Sequence, residues 1–153
     1  MIKVQEHSFD VGAELAALSA GRTDIGAVAS FTGLVRDIAD EQTVSALTLE
    51  HYPGMTEKKL AEIEDEANRR WPLQATLIIH RYGRMEPGEP IVLVAAASMH
   101  RAAALEACAF LIDWLKTKAP FWKLEEGGGK AAWVDARDSD DQAAARWRPR
   151  QTT

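Results

Sequence analysis

Cysteine is nearly absent from this chain. Cys108 is the single cysteine in 153 residues, so no internal disulfide can form, which fits a reducing cytoplasm. It sits between Ala107 and Ala109, where a thiol reads as a small buried hydrophobe rather than a nucleophile. No apolar run approaches the roughly 20 residues of a membrane span. The opening residues Met1 to Glu6 lack the apolar core of a secretory signal. Positive charge is scarce too: 18 Lys and Arg stand against 23 Asp and Glu, a net charge of −5. That balance argues against broad nucleic-acid binding, so any basic site must be a local cluster. Common catalytic signatures are missing: no Walker loop, no G-x-G-x-x-G, no G-x-S-x-G. Gly127-Gly128-Gly129-Lys130 lacks the other residues of a phosphate loop and reads as a hinge or hairpin tip. The four histidines, His7, His51, His80 and His100, show no zinc-ligand spacing, so no protein metal site is expected.

What is present is an alternation of strand and helix patterns. A strand is expected over Ile2–Glu6, then a helix over Val11–Leu18 capped by Asp10. Gly26–Val35 reads as a central strand, and Val44–Tyr52 as a strand antiparallel to it. Thr56–Trp71 shows a narrow helical stripe of Leu60, Ile63, Ala67 and Trp71, stopped by Pro72. Ala75–Tyr82 is a strand, and Ile91–Ala97 is apolar throughout, as in a strand buried on both faces. A long apolar helix follows through Leu115 to Pro120. Phe121–Leu124 is then extended, Glu125–Lys130 a loop and Ala131–Asp135 a last strand. The polar tail from about residue 139 admits two readings, a docking helix or a disordered end. The expected class is α+β: an antiparallel sheet with a ferredoxin-like βαββαβ core and a small additional β subdomain, as one domain over residues 1–153.

The long helix is basic at both ends. Lys116 and Lys118 complement the negative end of its dipole. His100 and Arg101 lie at the positive end, where cations are unfavourable unless an anion is bound. With Ser98 as N-cap, this first turn is a candidate phosphate or carboxylate site. Arg36, at the end of a strand, is a second candidate. Lys116 and Lys123 flank a proline and two aromatics, so either could serve as acid, base or nucleophile. Arg101 and Lys116 are separated by about 22 Å at the rise of an ideal helix, so one chain need not bring both ends to one ligand.

Several blocks together carry a resemblance. They are Phe31 to Arg36, Leu47 to Met55 (L-T-L-E-H-Y-P-G-M), His80 to Gly83, Ser98 to Arg101, and Leu115 to Lys123 (L-K-T-K-A-P-F-W-K). Collinear from about Gly26 to Trp147, the chain resembles the large, catalytic subunit of molybdopterin synthase, the MoaE family. The resemblance implies a cytoplasmic sulfurtransferase of molybdenum cofactor biosynthesis that acts on cyclic pyranopterin monophosphate (precursor Z). Sulfur would arrive as a thiocarboxylate on the C-terminal Gly-Gly tail of a small ubiquitin-like, MoaD-like carrier subunit. The implied assembly is a heterotetramer around a homodimer of large subunits, without nucleic acid or membrane. By the same resemblance Lys116 and Lys123 are catalytic, and Arg36, His100, Arg101, Val35, Leu34 and Arg137 bind substrate. Leu34 departs from relatives that carry lysine there. The residues alone leave a different class open: a non-catalytic α+β domain that binds an anion or regulates a partner.

Overall fold

The computed structural model describes residues 1–39, 42–127, 130–134 and 138–148. The elements run β1 (Ile2–Gln5), α1 (Val11–Ser19), β2 (Ala27–Leu34), β3 (Ile38–Ala39), β4 (Gln42–Thr43), β5 (Ala46–His51) and α2 (Met55–Arg70). There follow β6 (Leu73–Arg81), β7 (Gly83–Met85), β8 (Pro90–Ser98), α3 (Arg101–Lys118), β9 (Phe121–Gly127), β10 (Lys130–Val134) and α4 (Asp138–Ala145). The class is α+β. A large sheet is ordered β1-β6-β8-β2, a smaller one β10-β9-β5-β7, and β3-β4 form a short hairpin.

In the large sheet β1 is parallel to β6, and β8 is antiparallel to both β6 and β2. The apolar run of β8 fits its place between two neighbours with helices on both faces. Leu77, Ile79, Leu93 and Ala95 face Phe9, Val11, Leu15 and Leu18 of the α1 region. Asp10 caps α1, its carboxylate accepting the Ala13 N–H at 2.9 Å. On the other face Ile78, Val92, Val94 and Ala96 pack against Leu60, Ile63 and Ala67 of α2 and Ala107, Phe110, Leu111 and Leu115 of α3. Cys108 belongs to this cluster, and burial pushes its thiol up to about 11, which agrees with the hydrophobe reading.

Three expectations need correction. β2 is an outer strand of the large sheet, not a central one. None of its residues is buried, although Ala27, Val28, Ala29, Phe31 and Leu34 give it the apolar composition of a core strand. β5 does not pair with β2; it sits in the small sheet between β9 and β7, around a core of Val35, Leu47, Leu49 and Met85. Glu125–Gly127 is strand rather than loop, held in register by Leu47↔Glu125 and Ala46↔Glu126. Gly127 is needed there, since a Cβ would stand 1.8 Å from the Thr43 carbonyl oxygen. β9 and β10 form an antiparallel hairpin with Gly127 opposite Lys130; Gly128 and Gly129 lie outside the described residues.

Within its described part the tail docks. The Trp147 indole N–H donates to Asp113 at 2.7 Å, and its ring meets Trp71 and Phe110 nearly edge-on. The Trp147 carbonyl accepts from the Arg70 guanidinium at 2.5 Å.

Candidate active site

The two lysines of the last turn of α3 diverge. The Lys118 ammonium lies 4.6 Å from the centre of the Trp114 ring. Lys116 opens instead on a cavity of about 190 Å³. β9 supplies the next group. Phe121, Lys123 and Glu125 alternate on one face of the strand, opposite His51, Leu49 and Leu47 of β5. Lys123 and Glu125 reach the cavity, whereas Trp122 points the other way and meets Tyr52 edge-on at 4.4 Å.

The end of β2 supplies the third wall: Leu34, Val35 and Arg36. Val35 is fixed from both sides, its N–H donating to the Glu89 carbonyl at 2.9 Å and its carbonyl accepting from Gly88 at 2.8 Å. Asp140 of α4 completes the rim. Cations outnumber carboxylates in the wall by three (Arg36, Lys116, Lys123) to two (Glu125, Asp140), against a chain that is acidic overall. Among the described residues Arg36 and Lys123 make no ion pair. The cavity is thus suited to a small anion or to two anionic groups brought side by side.

Leu34, Val35, Arg36, Lys116 and Lys123 therefore share one cavity. His100 and Arg101 do not line it. They are exposed at the far end of α3. His100 is the N-cap, with no side-chain cap, and Arg101 is the first helical residue. This corrects the assignment of Ser98 as N-cap. The Ser98 hydroxyl ends β8, donating to the Pro72 carbonyl at 2.8 Å and accepting the His100 N–H at 3.3 Å. The start of β2 passes close to this turn: Gly26 N–H donates to the Ser98 carbonyl at 2.9 Å. A Cβ on Gly26 would stand 2.2 Å from the Met99 oxygen. Arg137 lies outside the described residues.

Behind the lysines is His80, whose pKa burial lowers to about 3, with Lys116, Lys123 and His51 pushing the same way and the Arg81 carbonyl opposing. Sequence reasoning missed His80, Glu125 and Asp140. The period of two from Lys123 points to Glu125, but only if the strand runs past Leu124. Histidine in the apolar run of β6 is itself a signal. Nothing local marks Asp140, which the docking of the tail brings into place.

A sequence model of the family described as "MoaE protein" matches residues 4–118. The chain is 60% identical over 146 residues, 95% of its length and 83% of the relative's, to a molybdopterin synthase catalytic subunit of Ralstonia nicotianae. Among solved structures it is similar to a molybdopterin biosynthesis MoaE protein from Burkholderia ambifaria, with a TM-score of 0.84, 50% identity and coverage of 98% and 99% of the two chains. It is also similar to a crystal structure of molybdopterin synthase from Staphylococcus aureus, with a TM-score of 0.81, 32% identity and coverage of 87% and 96%. The fold, the blocks of sequence that build the cavity and these likenesses agree: the chain belongs to the MoaE family.

Proposed function

We propose that the chain works as the catalytic subunit of a molybdopterin synthase. In this reading it is a cytoplasmic sulfurtransferase that moves sulfur from the C-terminal thiocarboxylate of a small ubiquitin-like carrier to cyclic pyranopterin monophosphate, forming the dithiolene of molybdopterin. The observation that carries the reading is the meeting of Lys116, Lys123 and Arg36 in one recess. The phosphate of the pterin and the thiocarboxylate of the carrier are both anions, and a cation-rich recess favours both. Lys116 assists attack by sulfur and breakdown of the intermediate, by proton transfer or by stabilising developing negative charge. Lys123 positions the thiocarboxylate beside it, and Arg36 holds the pterin. The sulfur comes on the carrier, so the chain needs no reactive thiol of its own, in keeping with the burial of Cys108.

His100 and Arg101 are assigned to the phosphate, but in the site of a second copy. Their separation from Lys116, about 22 Å by helical rise, is too long for one small substrate within one chain. β2 supports a shared site. One edge of it is unpaired among the described residues, and it exposes Val28 (39%), Phe31 (39%) and Leu34 (54%). An open edge with apolar side chains invites pairing with another strand. β2 starts beside the His100 turn and ends at Leu34, two residues before Arg36. Antiparallel pairing of two copies along this edge lays the start of one strand against the end of the other. The second copy's Arg101 then approaches this chain's Arg36 and lysines. Arg137 is assigned to the neighbouring subunit's site on the family resemblance alone.

The test is reconstitution: the chain, a thiocarboxylated carrier subunit and precursor Z are mixed and molybdopterin is measured. Product is expected, and its absence with wild-type protein overturns the reading.

A further inference from the structure

Among the buried polar side chains that the proposed chemistry does not use, His80 stands nearest the lysines. His80 is 6% exposed, on the face of β6 that looks toward α2 and α3. Its ring lies flat on Phe121, with centroids 3.7 Å apart and planes 16° apart. Its Nδ1 is 2.8 Å from the Arg81 carbonyl, which can only accept, so Nδ1 carries the hydrogen and the ring is fixed in one orientation. Burial, which lowers its pKa to about 3, keeps the imidazole neutral, with the lone pair on Nε2.

Phe121 is gripped from the other side as well. His51 stands opposite it in the β5–β9 ladder, with ring centroids 5.9 Å apart, and also meets Tyr82 at 4.6 Å. The His51 ring is itself anchored. The Thr56 hydroxyl donates its one hydrogen to the Tyr52 carbonyl at 2.8 Å, so it accepts from His51 Nδ1 at 2.9 Å. Phe121 is thus held between a histidine of the large sheet and one of the small sheet. Two residues on, and on the same face of β9, is Lys123. Lys116 belongs to α3, which packs on the large sheet. The His80–Phe121 stack joins the two bodies whose lysines meet in the cavity.

We infer that His80 is a positioning residue: its stack on Phe121 sets where Lys123 stands relative to Lys116. The inference rests on the sulfurtransferase reading for its kinetic consequences but not for the placement itself. A misplacement of about 1 Å in a reacting group can cost a hundredfold in rate. Uncharged packing against a flat ring is what the position requires, so a phenyl ring should replace the imidazole and a small side chain should not.

The experiment compares His80→Phe, His80→Asn and His80→Ala in the reconstituted enzyme with carrier. His80→Asn keeps an N–H for the Arg81 carbonyl and loses the stack; His80→Phe does the reverse. Expected are a kcat within about threefold of wild type for His80→Phe, and a loss of about tenfold or more for the other two, with KM for the pterin unchanged. In a double-mutant cycle His80→Ala should cost little further in a Lys123→Ala background but its full factor in an Arg101→Ala background. A merely structural role would multiply equally in both. Should His80→Ala fail to fold, Phe121→Leu removes the stack from the other side and must give the same kcat loss and coupling. Independently of activity, the acetylation rate of Lys123, read by mass spectrometry, should change in His80→Asn and not in His80→Phe. Equal losses for Phe and Asn, equal multiplication in both backgrounds, or an unchanged Lys123 labelling rate overturns the inference. An inactive wild type with the labelling pattern intact would overturn the sulfurtransferase reading instead.

Discussion

The two ends of α3 carry the same kind of charge in opposite settings. At the C-terminal end Lys116 completes a cavity whose other walls come from β2 and the residues after it, β5, β8, β9 and α4 of the same chain. At the N-terminal end His100 and Arg101 stand exposed at a helix start, with no side-chain cap and no acidic residue in the first turn. Lysine at a helix C-terminus offsets the dipole there, so Lys116 needs no ligand to account for it. Arginine at the first helical position opposes the dipole, so its placement is unfavourable until an anion arrives. One end closes a cavity; the other stands open to solvent. Under the proposed function the difference means that a single copy holds a sulfur-transfer pocket but only part of a substrate site.

Breaking the built end should have the largest effect. Lys116→Ala is expected to lower molybdopterin formation by roughly a hundred- to ten-thousand-fold, the usual scale for loss of a proton-transfer or charge-stabilising group. Carrier binding, followed by calorimetry, should persist; a modest loss of activity would favour the non-catalytic reading. Breaking the other end should be milder and of a different kind. Arg101→Ala removes a charge-assisted contact of about 1.5–3 kcal/mol, expected as a roughly tenfold to hundredfold rise in KM with dimerisation unchanged by sedimentation. An unchanged KM would move the phosphate elsewhere.

A smaller effect is expected from the tail that closes the cavity. Trp147→Ala removes a half-buried ring packed on Trp71 and Phe110, so about 2 kcal/mol of stability should be lost in urea titration, less than for a fully buried tryptophan. Because Asp140 rides on the same tail, kcat should fall with it.

The smallest effect concerns pH. His80 is held below its ordinary pKa, at about 3, so the unfolded chain takes up a proton near pH 6.5 that the native chain refuses. Its contribution to stability is present above pH 6.5 and is lost progressively as pH falls toward 3, with a slope of at most about 1.4 kcal/mol per pH unit. His80→Phe should remove that component from the urea midpoint measured between pH 7 and 5, and an unaltered pH dependence would show that His80 is not its source.

Much of this contrast is legible in the residues themselves. The charge at both ends of α3, the stripe of α2 and the doubly buried β8 follow from periodicity, because each reports one element against one core. Pairing between elements does not. Val44–Tyr52 follows Gly26–Val35 closely enough to suggest a hairpin, yet its partner is β9, some 70 residues on, with Phe121, Lys123 and Glu125 opposite His51, Leu49 and Leu47. The place of β2 at the sheet edge was hidden by its composition: Val28, Phe31 and Leu34 look like core residues and are exposed. Of the site, Lys116, Lys123 and Arg36 were readable as cations at element ends and through the family resemblance. Asp140 comes into view only when the tail docks, and the histidine that interrupts the apolar run of β6 gains its partner Phe121 only when the two sheets meet.

The most direct test of a site shared between copies is complementation between defective chains. Lys116→Ala and Arg101→Ala proteins are each prepared, unfolded, mixed in equal amounts and refolded together with carrier. In a mixed dimer with shared sites one site carries both defects and the other carries neither, so activity measured with pterin well below the wild-type KM, where the Arg101→Ala parent is also nearly inactive, should recover to about a quarter of the wild-type value when pairing is random. If both ends of α3 serve a site within one chain, every site keeps a defect, and the mixture will be no more active than the average of the two parents.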